Sequence, residues 1–209
     1  MSNSAILPLW GVIIMVLILF ILAVVIIWTN ALALRDRYRS DDIIIGYAPY
    51  QIPIYKNTAY FNENKIIHIG KEGSKYSGLI YGTKYQCVEF VRRWLIHARN
   101  ITFAQIPQAV DLFNLNYVTD ITTHEKIPLL HIKNDGTNTP VFGDILVWKK
   151  EGINKHYGHV AIVTKVISQA IVTISEQNGT SQNGIRNINV QHDTILGWVR
   201  PNFNNNIIA

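Results

Sequence analysis

No residue from Ser2 to Leu34 carries a charge, and the stretch ILPLWGVIIMVLILFILAVVIIW, Ile6 to Trp28, is almost wholly apolar. A helix needs roughly 20 such residues to cross a bilayer, where every backbone amide must be satisfied within its own segment. Residues 1–34 therefore read as an N-terminal transmembrane anchor, with residues 6–28 in contact with lipid. On a helix rising about 1.5 Å per residue, Trp10 and Trp28 stand about 27 Å apart, which suits indoles at the two interfaces.

A cleaved leader would open on a positive region and hold a shorter apolar core of roughly 7 to 15 residues. Here the start is uncharged and the core is longer, so an uncleaved single-pass anchor is expected; cleavage after the Ala-Leu-Ala at 31–33 is the alternative. Arg35, Arg37 and Arg39 follow the span and no Lys or Arg precedes it. Basic flanks stay on the cytoplasmic side, so the domain that follows the span is expected there. Residues 35–45 read as a juxtamembrane linker, 46–200 as one globular domain and 201–209 as a tail.

The formal net charge of +5 is spread thinly, with Arg35, Arg37 and Arg39 and the Arg92–Arg93 pair as the only tight groupings. Neither a basic stripe nor alternating aromatic and basic residues is present, so no nucleic-acid partner is expected. Cys87 is the single cysteine, which excludes an internal disulfide framework and a zinc–cysteine cluster. His156 and His159 have no nearby carboxylate or thiol in sequence, so no metal and no cofactor are expected.

After the proline-marked GYAPYQIPIYKN, the first strong period is helical. Cys87, Val91, Trp94 and Ala98, joined by Val88, Phe90 and Leu95, make one apolar face, with Glu89, Arg92, Arg93 and Arg99 on the other. A second helix is expected over IPQAVDLFNL, with Pro107 in its first turn. Beyond Pro140 the segments DILVWKK, HVAIVTKVI, AIVTISEQ and GIRNINV are short and rich in Val, Ile and Thr, so they read as antiparallel strands. Helices followed by a sheet predict an α+β domain. Asp144 is expected in the turn before its strand, and Trp94, Trp148 and Trp198 in the core or along cleft walls.

A cysteine at the first turn of a helix meets free backbone N–H groups and the positive end of the helix dipole, which favour thiolate over thiol. The same N–H groups could hold the oxyanion formed when that thiolate attacks a carbonyl. Without a base, Cys87 would be read as core packing. His159, following Gly158 at the start of the most apolar strand, is the candidate base. A hairpin with Ser168 and Gln169 as a two-residue turn sets His159 opposite Asn178 and Ala161 opposite Glu176. Glu176 then lies diagonally beside His159, and either it or Asn178 could accept the second imidazole N–H. A three-residue turn would reverse that parity.

Together, YQCVEFVRRWL, GDILVW, GHVAIV, ISEQNG, GYAPY and ILGWV resemble the CHAP family, the cysteine, histidine-dependent amidohydrolases and peptidases, and within it the amidase domain of glutathionylspermidine synthetase/amidase. The resemblance covers roughly residues 46–199. It implies a papain-like, NlpC/P60-like α+β fold, N-terminal helices packed on an antiparallel sheet, with Cys87 as nucleophile, His159 as general base and acid, and Glu176 orienting it. It also implies that Arg92 binds substrate carboxylates and that Gln86 or the Cys87 amide lines the oxyanion hole. The implied reaction is hydrolysis of glutathionylspermidine to glutathione and spermidine through a thioester. Because the chain stops at Ala209, the ATP-dependent synthetase activity of the bifunctional relatives is not expected. Two alternatives remain at this stage: the same chemistry on peptidoglycan peptides, and an inactive membrane-tethered binding protein.

Overall fold

The computed structural model describes residues 9–38, 42–192 and 194–203. The chain divides into two compact units, Met1–Asp41 and Asp42–Ala209. The described part of the first is one helix, α1 (Leu9–Tyr38), of which Trp10–Ala31 is long and apolar enough to cross a membrane; a signal sequence passes the same test. The helix runs past Leu34 through part of the expected linker. Arg39, and the side chains of Arg35 and Arg37, lie outside the described residues.

The second unit is mostly sheet. Two small hairpins come first, β1 (Ile44–Ala48) with β2 (Ile52–Tyr55), then, after a short α2 (Ala59–Asn64), β3 (Ile67–Ile69) with β4 (Ile80–Thr83). There follow α3 (Cys87–Arg99), β5 (Ile101–Thr102), a 3-10 turn at Ala109–Asn114, β6 (Tyr117–Asp120), β7 (Lys126–Lys133), β8 (Ile145–Trp148), β9 (His159–Val166), β10 (Ile171–Ser175), β11 (Ile185–Asn189) and β12 (Ile195–Pro201). The last eight strands form one antiparallel sheet in the order β11-β10-β9-β8-β12-β7-β6-β5.

Two expectations are corrected here. Among the described residues of this unit only α3 is a substantial helix, so the layer of N-terminal helices reduces to one. The segment after Pro107 is 3-10 rather than α, closed by reciprocal capping between Gln108 and Asp111.

α3 packs its Phe90, Val91, Trp94 and Leu95 on Ile145, Val147, Val160 and Ile162 of β8 and β9. The alternate residues Leu146, Trp148, Ala161 and Val163 join a second cluster with Val172, Ile174 and Trp198. β8 and the first half of β9 are thus buried on both faces, which is why ILVW and the VAIV after His159 are unbroken apolar runs. Asp144 occupies the predicted turn, where Arg200 grips its carboxylate through Nε at 2.7 Å and Nη2 at 2.8 Å.

The β9–β10 hairpin reaches the expected pairing by an unexpected route. Its loop holds three residues, so Val166 faces Val172 and Lys165 faces Thr173. A bulge between Thr173 and Ile174 then shifts the register, setting Val163 opposite Ile174 and Ile162 opposite Ser175. One extra residue in the turn and one in the strand cancel, so the parity is restored at the end where His159 and Glu176 lie.

Ile162 is fully buried in that doubly covered strand, whereas Tyr157 is exposed. Ile162→Ala should cost about 2 to 5 kcal/mol and Tyr157→Ala less than about 0.5 kcal/mol, read from urea unfolding followed by tryptophan fluorescence.

Candidate active site

The site forms where the start of α3 meets the start of β9. Gln86 is extended, at φ −81° and ψ 160°, and Cys87 is the first helical residue, so its N–H is one of the donors a helix leaves unpaired. Gly158, at φ +74°, turns the chain into β9 with its α-carbon tight against neighbouring backbone; a side chain there would lie 2.8 Å from the Trp148 carbonyl oxygen. His159 follows, flanked by the Trp148 ring at 5.4 Å between centroids.

His159 is buried, and its Nε2–H donates to Glu176 Oε2 at 2.9 Å. That leaves Nδ1 for the thiol, with which the imidazole is hydrogen bonded. Cys87 is 8% exposed, reached by solvent only at its edge. Burial pushes the Cys87 thiol up, but the His159 charge, the hydrogen bond to the ring and the N–H groups of Val160 and Val88 outweigh it and bring the thiol below its ordinary range. Burial likewise works against charge on His159, yet the facing thiolate and Glu176 raise it to about 9. Glu176, 1% exposed, is pushed up by burial and drawn down to about 2 by His159 and Arg186. All three act together: sulfur and imidazole share a proton that sits on the ring, and the carboxylate stabilises the ring that carries it.

Asn178 takes a different position from the one the register argument allowed. Its Nδ2 donates to Gln86 Oε1 at 2.8 Å, so it steadies the residue before the helix while Glu176 holds His159. Arg92, expected to meet substrate carboxylates, is 2% exposed and its guanidinium is spent on the carbonyls of Tyr81, Phe103 and Ala104 at 2.5, 3.3 and 3.0 Å. Its expected role is therefore corrected: it ties α3 to β4 and to the chain beyond β5. Burial lowers it to about 10.

Glu89 and Arg93 are also inside, not on a solvated helix face. Glu89 Oε1 accepts from Arg93 Nε at 2.6 Å and pairs with His68 Nδ1 at 2.7 Å, while its Oε2 accepts from Gln177 Nε2 at 2.6 Å. Gln177 also donates to the Gln86 carbonyl at 3.3 Å and accepts from Arg93 Nη2 at 3.1 Å. This network fastens the residue after Glu176 to the residue before Cys87. Sequence reasoning missed it, and missed Arg186, because each needs a contact between distant segments; the one available sign was an arginine inside the Asn- and Ile-rich GIRNINV.

An activated thiolate, an imidazolium beside it and backbone donors at a helix start are what thiol-dependent acyl transfer requires. Residues 76–178 match the CHAP domain model, that of the cysteine, histidine-dependent amidohydrolases and peptidases. It is 32% identical over 136 residues to the bifunctional glutathionylspermidine synthetase/amidase of Escherichia coli (strain K12), covering 65% of this chain and 22% of that protein. To trypanothione synthetase of Crithidia fasciculata it is 33% identical over 133 residues, covering 64% of this chain and 19% of that protein. The chain thus spans less than a quarter of the length of these relatives. Among solved structures it is similar to an N-acetylmuramoyl-L-alanine amidase from Staphylococcus aureus, at 19% identity and a TM-score of 0.42, covering 70% of this chain and 38% of that one.

The raised imidazole and lowered thiol fix a pH window. The ion pair exists above the thiol's depressed value and is lost as pH rises through about 9, where His159 gives up its proton. Alkylation of Cys87, the only cysteine, by iodoacetamide should set in at a lower pH than for a free thiol, hold a plateau and change again near pH 9. Arg92→Met should destabilise the protein by about 3 kcal/mol, because buried carbonyls lose their donors, and leave that alkylation profile in place.

Proposed function

We propose that the chain is a membrane-anchored cysteine amidohydrolase that cleaves glutathionylspermidine to glutathione and spermidine. The observation that carries the reading is the buried array of Cys87, His159 and Glu176, in which the thiol is lowered and the imidazole raised. In this mechanism the Cys87 thiolate attacks the glycyl carbonyl carbon, and the carbonyl electron pair moves onto oxygen. The Cys87 N–H at the helix start, with the Gln86 carboxamide that Asn178 orients, receives that oxyanion. Collapse breaks the C–N bond as the His159 imidazolium gives its proton to the departing amine. The neutral ring then takes a proton from water, whose oxygen attacks the thioester. Glutathione leaves with a free carboxylate and the thiolate–imidazolium pair is restored. Glu176 stays ionised throughout and orients the ring.

The substrate assignment draws on the relatives, a glutathionylspermidine synthetase/amidase and a trypanothione synthetase by name. The helix from Trp10 to Ala31 supports the anchor. Arg35, Arg37 and Arg39 after the span support a cytoplasmic catalytic domain, the compartment that holds glutathione.

The purified protein in detergent should release glutathione and spermidine from glutathionylspermidine, and Cys87→Ala or His159→Ala should lower kcat by at least about 10³-fold. Mass spectrometry with a peptidoglycan stem peptide as the second substrate checks the choice. Cleavage of the stem peptide alone would overturn it, and protease digestion of the domain on intact cells would overturn its sidedness.

A further inference from the structure

Glu176 is held from a second side. Arg186 lies on β11 opposite Ile174, which places it diagonally beside Glu176 on the same sheet face. Its Nε donates to Glu176 Oε1 at 2.7 Å and its Nη2 to Oε2 at 3.1 Å. The Ser181 N–H adds a contact to Oε1 at 3.3 Å. Gly179 closes the cradle: a β-carbon there would sit 2.3 Å from Glu176 Cδ and 2.5 Å from both oxygens.

Among the described residues, every group hydrogen bonded to the carboxylate is a donor. His159 approaches from β9 and Arg186 from β11; Ser181 and Gly179 bring no charge, and Cys87 of α3 lies beyond the imidazole. A protonated Glu176 would turn an O–H toward one of these donors and leave a buried mismatch. An ionised Glu176 accepts from all of them, and it forces His159 to carry its proton on Nε2, so that Nδ1 is the nitrogen presented to sulfur.

We propose that Arg186 is a positioning residue: by gripping the outer edge of Glu176 it keeps that carboxylate an ionised acceptor, and through it fixes which nitrogen of His159 faces Cys87. The arginine acts at a distance, and its effect reaches the thiol through three hydrogen-bonded steps, Arg186 to Glu176, Glu176 to His159 and His159 to Cys87. The inference rests on Cys87 and His159 being the reactive pair, and the depressed carboxyl of Glu176 and the raised imidazole agree with it.

The test reads the thiol directly and needs no substrate: iodoacetamide alkylation of Cys87 against pH, with the full chain in detergent. In Arg186→Met, Glu176 takes up a proton and the imidazolium loses its acceptor. The lower limb of the profile should therefore move up by about one pH unit, about a tenfold fall in rate at any pH on that limb. Glu176→Gln should give a similar shift, Arg186→Met added to it should give no more, and Arg186→Lys should recover most of the loss. A profile for Arg186→Met that superimposes on the unaltered protein overturns the proposal, as does an undiminished extra shift in the Glu176→Gln background. If the unaltered thiol reacts no faster than free cysteine, the reactive pair itself is refuted, a separate failure that takes this inference with it. Nitrogen-15 shifts of His159 above pH 9 need no variant: a proton on Nε2 supports the proposal, and one on Nδ1 overturns it.

Discussion

The first two turns of α3 bury a thiol that carries negative charge together with Glu89, Arg92 and Arg93. An isolated charge taken out of water costs many kcal/mol, so each of these groups has to meet its complement inside the protein. Arg92 draws in the carbonyls of β4 and of residues 103 and 104, and Glu89 with Arg93 draws in His68, Gln177 and the Pro53 carbonyl. The small hairpins, the chain after β5 and the end of β10 are all fastened to one helix by this demand. The charges that hold the domain together also hold the site in register.

The chain of groups from Cys87 to His159 to Glu176 to Arg186 alternates in sign, negative and positive by turns. Cys87, His159 and Glu176 are buried side by side, so each lowers the cost of its neighbour's charge, and the partly exposed Arg186 closes the series. This gives a thiolate–imidazolium pair a physical footing in the fold. Nucleophile and base come from opposite ends of the sequence pattern, one from a helix start and one from a strand start, and the sheet makes them meet.

The bulge in β9 shows how a correct pairing can rest on an incorrect path. Alternation along HVAIVTKVI and AIVTISEQ gave Ala161 opposite Glu176 from a two-residue turn, and the structure reaches the same parity, Ile162 opposite Ser175, with three residues in the turn and a shift between Thr173 and Ile174. Neither departure has a clear sequence sign, since Ser168, Gln169 and Ala170 suit either loop. The cost of exposing a buried face acts on the whole strand and constrains the result more tightly than it constrains the turn.

Local rules acting on neighbouring residues determined the apolar span, the helix beginning at Cys87, the strands after Pro140 and the candidacy of Cys87 and His159, because periodicity and helix-end electrostatics need no distant partner. Tertiary structure alone decided that Glu89, Arg92 and Arg93 turn inward, that Arg92 binds backbone carbonyls and that Arg186 grips Glu176. A charged side chain reads as solvated until its partner is known, and these partners lie on other strands and loops, out of reach of any pattern along the chain.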